Sequence, residues 1–169
     1  NSYKMVRLYG YTDYGDFKVT NNGPQVNFYT YNNNTFHNVD LTTTYTANSN
    51  YSAYWECYNI DADTASFSQG VDFYMPNTTP EFNRFLPETS CLKISRIRGA
   101  SYNSSRLDVS GGSVNLDFIK LENHIAQGGA TFTATNVSEV GTVQGWNVSQ
   151  VPDYNLYWVG GTGNWNDPN

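Results

Sequence analysis

Thr35-Phe36-His37-Asn38-Val39-Asp40-Leu41 and Ser66-Phe67-Ser68-Gln69-Gly70-Val71-Asp72-Phe73 repeat one pattern. A hydroxyl residue precedes Phe, a short polar spacer follows, and Val-Asp plus an apolar residue closes each copy. Alternation of apolar and polar residues puts one set of side chains in a core and the other in solvent, as on a half-buried strand. Later alternating runs centre on Ile94 and Leu116. Steps from Val39 to Val71, Ile94 and Leu116 fall near the roughly 20–50-residue period of solenoid architectures. The spacing predicts coils of a right-handed parallel β-helix, with a longer loop in the first interval.

Other runs agree. Met5-Val6-Arg7-Leu8-Tyr9, Phe17-Lys18-Val19 and Val26-Asn27-Phe28-Tyr29-Thr30-Tyr31 alternate. In Leu92-Lys93-Ile94-Ser95-Arg96-Ile97, the pattern sets Leu92, Ile94 and Arg96 on one face and Lys93, Ser95 and Ile97 on the other. Val114-Asn115-Leu116-Asp117-Phe118 runs on into Ile119-Lys120-Leu121. Turn chemistry separates the runs: Asn22-Gly23-Pro24, Asn32-Asn33-Asn34, Pro76-Asn77-Thr78-Thr79-Pro80 and Ser110-Gly111-Gly112-Ser113. Asn tolerates left-handed backbone and so suits solenoid corners. Good helix formers are scarce and no long stretch has helical spacing. The chain reads as all-β, with a β-sandwich as the alternative to the solenoid.

Composition narrows the function classes. Charged residues make up only 14% of the 169 positions, and aromatics make up 16%. Amides and hydroxyls therefore supply much of the solubility, a palette common in extracellular β-proteins. The formal charge of −6 and pI of about 4.6 argue against a nucleic-acid partner. The small basic cluster Lys93, Arg96, Arg98 and Arg106 reads as a solvated strand face. Cys57 and Cys91 read either as a bridge or as two buried free thiols, and no CxxC spacing offers a zinc site. No apolar run has the length of a membrane helix. No signal peptide is visible, so export would rely on a segment not contained in these residues.

The carboxy-terminal stretch is unusual. Tyr157, Trp158 and Trp165 sit among glycines and asparagines, which cannot fold alone. They read as the opening of a further structural unit. Gly128-Gly129-Ala130-Thr131-Phe132-Thr133-Ala134-Thr135-Asn136, followed by Gly145-Trp146-Asn147, reads as the close of a module. Leu156-Tyr157-Trp158-Val159-Gly160-Gly161-Thr162-Gly163-Asn164-Trp165-Asn166-Asp167-Pro168-Asn169 then opens the next. Together these segments resemble the module junctions of giant repetitive surface adhesins of the SprB type, from gliding Bacteroidetes. The Thr-Phe-x-Asn-Val-Asp-Leu element resembles the rung-like strands of such modules more loosely.

The resemblance implies a secreted, cell-surface, non-enzymatic repeat that serves structure and adhesion during gliding motility. It implies export by the type IX secretion system, attachment to surfaces or polysaccharide, and neighbouring repeats and the outer-membrane gliding machinery as partners. It divides the chain into a β-rich repeat over residues 1–151, with a closing segment at 128–149, and a junction over 152–169. Trp146, Tyr157, Trp158 and Trp165 are then expected to pack between modules. Asp63-Thr64-Ala65 looks like the short O-glycan acceptor pattern of exported Bacteroidetes proteins, with Thr64 as acceptor.

A second class is a secreted carbohydrate-binding or polysaccharide-degrading β-helix. Its tools would be aromatics that stack on sugars, and Tyr51, Tyr54, Trp55 and Tyr58 form the candidate cluster. Acid–base cleavage needs paired carboxylates, and stacking of the two Val-Asp segments would bring Asp40 to Asp72. Asn59-Ile60-Asp61-Ala62-Asp63 offers oxygen donors at alternate positions, so Asp61 and Asp63 are a candidate Ca²⁺ site, though without the Gly and distal Glu of an EF-hand loop. His37 and His124 have no nucleophile or ligand partner at a defined spacing and read as surface or edge residues. Sequons at Asn33, Asn50, Asn77, Asn103, Asn136 and Asn147 are what so Asn- and Thr-rich a chain produces by chance.

Overall fold

In a computed structural model, the described residues are 4–23, 25–44, 51 and 53–149. They form strands and no helix. The strands are β1 (Lys4–Leu8), β2 (Asp16–Asn21), β3 (Val26–Thr30), β4 (Thr35–Thr43), β5 (Ala53–Cys57), β6 (Asp61–Phe67) and β7 (Val71–Met75). They continue as β8 (Glu81–Pro87), β9 (Ser95–Gly99), β10 (Arg106–Val109), β11 (Ser113–Gln127), β12 (Thr131–Gln144) and β13 (Asn147–Ser149). Odd strands stack in the order β1-β3-β5-β7-β9-β11 and even strands in the order β2-β4-β6-β8-β10-β11. Every pairing between these strands is parallel. A sandwich of hairpins needs antiparallel neighbours, so the architecture is the β-solenoid, of about six turns.

Inward side chains stack in columns along the axis. One column runs Val6, Phe28, Trp55, Phe73, Ile97, Leu121. A second runs Phe17, Val39, Ala65, Phe85. Most of these residues are fully buried, and each large one contributes about 1.5–3 kcal/mol relative to exposure. Small residues sit between large ones, as with Ala62 between Phe36 and Phe82, which lets the turns interdigitate at crystal-like density. Several polar groups in the core are tied to backbone or to each other, although Asn34 Oδ1 and Gln69 Oε1 are buried without a hydrogen-bond partner. Trp55 Nε1 donates to Thr30 Oγ1 at 3.0 Å, and Asn34 Nδ2 donates to Leu8 O at 3.1 Å.

Corners are made by glycine and asparagine. Asn33, Asn77, Asn123 and Asn136 all have positive φ, between 47° and 63°, a region Asn enters more readily than most side chains. Phe118 also has positive φ (54°). Phe118 and Asn123 fold the long strand β11 around the turn. Its Ile119–Glu122 stretch lies on β9, its Ile125–Gln127 stretch lies on β10, and β12 runs alongside it.

The solenoid expectation holds, but part of its derivation does not. Val39 and Val71 do not stack. Val39 lies between Phe17 and Ala65 on the even strands, whereas Val71 follows Ala53 on the odd strands. Ile94 and Leu116 are not successive rung centres either; Ile97 is followed by Leu121. The alternation in β9 is real, but Ser95 and Ile97 face inward, Arg96 faces outward, and Leu92 is 87% exposed ahead of the strand. The closing segment 128–149 continues the same stack, with β12 on β11 and β13 on β12. The 152–169 junction, with Tyr157, Trp158 and Trp165, lies outside the described residues.

Candidate functional site

Outward positions of the odd strands build one continuous face. Because side chains alternate along a strand and the turns are in register, two outward columns arise. One runs Arg7, Tyr29, Glu56, Tyr74, Arg98, Glu122. The other runs Asn27, Tyr54, Asp72, Arg96, Lys120. Neither column places two like charges on adjacent rungs until Arg96 meets Lys120.

The tyrosines lie against one another. Tyr9 and Tyr31 stack at 4.5 Å between ring centroids and Tyr31 and Tyr58 at 5.0 Å. Tyr29 meets Tyr54 edge-on at 6.1 Å, and Tyr54 meets Tyr74 at 6.2 Å. Arginines cover further ring faces: Arg98 lies 3.9 Å from the Tyr74 centroid, Arg96 lies 4.8 Å from Tyr51, and Arg7 lies 5.3 Å from Tyr29. Such contacts contribute about 0.5–1.5 kcal/mol each beyond area burial.

Asp72 sits at the centre of this face. It is 5% exposed and accepts from Nε and Nη2 of Arg96 and from Nε of Arg98. Glu122 lies 3.6 Å from Arg96 on the next turn. Glu56 accepts from Tyr54 Oη at 2.9 Å and Tyr58 Oη at 2.8 Å. The bond to Glu56, then burial, pushes the Tyr58 phenol up to about 12. Burial, then Glu56, pushes Tyr54 up as well. Both phenols are protonated at neutral pH, so the face offers hydroxyl edges and guanidinium rims, while many ring faces are occupied by neighbours.

The carbohydrate-cluster residues divide. Tyr51, Tyr54 and Tyr58 lie on this outer surface, half-buried. Trp55 does not: it is fully buried in the core column and cannot serve as a surface platform. Sequence reading missed Tyr9, Tyr29, Tyr31, Tyr74, Arg7, Glu56 and the Asp72–arginine centre. The alternation of Val26–Tyr31 did place Tyr29 and Tyr31 on one side; what joins them to Tyr54 and Tyr74 is inter-turn register, which one strand's sequence does not display. The basic cluster is only partly a solvated face, since Arg96 and Arg98 converge on Asp72.

The other candidates lie elsewhere. Asp40 is not beside Asp72. It pairs with Lys18 at 2.9 Å and accepts from Thr42 and Ser66 on the even-strand side. Asp61 and Asp63 point outward from β6, where Asp63 accepts from Asn83 at 2.7 Å. Among the described residues, no group of three or more His, Cys, Asp or Glu side chains is placed to hold a metal ion. Thr64 is half-exposed on β6 between Asn38 and Arg84. His37 is exposed and 2.8 Å from Asp16. His124, read as a surface or edge residue, is instead fully buried, because the corner at Asn123 turns the following residue inward. Trp146 is partly buried against His124 and Phe132. The cysteines are free thiols and not a bridge, but only Cys57 is buried; Cys91 is exposed. No family model, curated protein or solved structure matches the chain.

Proposed function

We propose that the chain is a non-enzymatic structural and adhesive repeat of a large, secreted cell-surface protein. The observation that carries this reading is the interlocked tyrosine–arginine face, which runs along the axis from Arg7 to Glu122. Its side chains bond mainly across turns, as do the parallel backbone ladders. A stack of this kind spreads load along a quasi-one-dimensional rod. Adhesion through such a rod is multivalent, with weak contacts multiplied by the number of repeats.

The resemblance of the 128–169 region to module junctions supports the same reading. On that reading the segment is a SprB-type module, exported by the type IX system and moved by the gliding machinery, with neighbouring repeats as its nearest partners. Thr64, half-exposed, is its candidate glycan acceptor. A repeat map of the parent gene tests this. Recurrence of the YWVGGTGNW element between β-rich units is expected; a single occurrence would sink the proposal.

A second reading is a carbohydrate-binding β-solenoid, and the hydroxyl-rich tyrosine face is the observation that favours it. Edges of Tyr31, Tyr54 and Tyr58 and the rim of Arg7 would meet polysaccharide hydroxyls. A glycan array decides: binding abolished by Tyr31→Ala supports this reading, and absence of any binding removes it.

A further inference from the structure

His124 is fully buried in β11, and both ring nitrogens are engaged. Nδ1 lies 3.2 Å from Glu122 O, a carbonyl that can only accept, so Nδ1 carries the proton. Nε2 lies 3.0 Å from Trp146 Nε1, an indole N–H that can only donate, so Nε2 carries none. Two partners on different turns therefore specify one neutral tautomer. Trp146 belongs to the last described turn and rests edge-on against His124 and Phe132.

That turn is fitted closely onto the one beneath. Thr142 N donates to Asn123 Oδ1, and Gly141 lets the backbone pass where any side chain would strike Asn123. Gly145, with φ of 83°, does the same against Ala126 O. The nearby charges point away from the imidazole. Glu122 turns outward to Arg96 and Lys120, Arg106 donates to Asn103 O, and Glu139 is exposed. The register neighbour from β12 is Val143, which is neutral.

We propose that His124 and Trp146 form an acid-released latch that holds the last described turn, residues 137–149, onto the turn beneath it. A proton taken from solvent onto Nε2 would set two N–H donors against each other and leave an unpaired cation in the core. The closed turn therefore selects neutral His124, and burial holds this imidazole down to about 4. Once the turn opens, the ring returns to its ordinary value near 6.5. The open state thus binds more protons between these values. The latch is fully closed above about pH 6.5 and weakens as pH falls towards 4, with the opening equilibrium rising up to about tenfold per pH unit.

The test is a pH titration of the whole chain by ¹⁵N NMR with hydrogen exchange, corrected for intrinsic rates. At pH 6 the His124 ring is expected to show the Nδ1–H neutral tautomer. Protection of amides in 137–149 should fall below pH 6 while that of β6–β8 stays constant. His124→Gln keeps a donor and an acceptor without a titrating group, and should abolish this pH dependence. A protonated His124 at pH 6 with the last turn still protected would overturn the proposal. So would unchanged protection of 137–149 down to pH 4, or the same acid loss in His124→Gln. The wild-type tautomer and exchange measurements decide the matter even if the variant does not fold.

Discussion

Two outer faces of this solenoid share one backbone and differ in what their columns stack. On the odd strands, opposite charges and rings alternate from Arg7 to Glu122, with Asp72 held by two arginines of the next strand. On the even strands, Asp61, Glu81 and Asp108 occupy successive rungs. Parallel stacking repeats each position at one rung spacing, so like charges there repel and unlike groups attract. The first face draws cohesion from its side chains. The second also bonds across turns, as in Lys18 with Asp40 at 2.9 Å and Asn83 donating to Asp63 at 2.7 Å, but its Asp61–Glu81–Asp108 column stacks like charges, with local relief from Gln127 donating to Asp108 at 2.7 Å. Cohesion in a stack of this kind is therefore a property of columns, not of single turns.

The largest break in this comparison is expected from Asp72→Ala. It removes the carboxylate that two half-buried guanidinium groups share, leaving Arg98 without its ion-pair partner and Arg96 with Glu122 only, and removing one partner of a buried pair costs about 3 kcal/mol or more. Denaturant unfolding should show the loss, while Asp61→Ala changes stability little. Tyr54→Phe is a smaller perturbation. It removes one of two hydroxyls held by Glu56, for about 1 kcal/mol, with the fold unchanged by circular dichroism. The smallest effect carries the opposite sign. Glu81→Gln relieves the carboxylate column and should stabilise by roughly 0.3 kcal/mol at low salt, fading as salt screens the charges.

Several features were legible in the sequence for physical reasons. Period-two alternation in Val26–Tyr31 is what a half-buried strand requires, and Asn33 and Asn77 stand at left-handed corners as turn chemistry dictates. Register was not legible. The chain distance between neighbours in the Val6–Leu121 column is uneven, longest from Phe28 to Trp55 and shortest from Trp55 to Phe73. The column also mixes Val, Phe, Trp, Ile and Leu, because a core rung asks only for an apolar side chain that fits its neighbours. Hence the likeness between the Val39 and Val71 segments pointed to the right fold through the wrong pairing, and drew Asp40 and Asp72 together when one stands on the even and the other on the odd strands. The tyrosine face was half-found for the same reason. Tyr54 and Tyr58 were visible as a local cluster, but Tyr29, Tyr31 and Tyr74 join them only through register. Trp55, one residue along, faces the core.

The central claim is that the tyrosine–arginine face binds the turns to one another. A double-mutant cycle of Asp72→Ala with Arg98→Ala tests it most directly, because the two residues lie on adjacent turns and touch at 3.0 Å. The account predicts a coupling of about 1.5 kcal/mol or more in favour of the pair, against an unfavourable coupling for Asp61 with Glu81. A coupling near zero between Asp72 and Arg98 would contradict it.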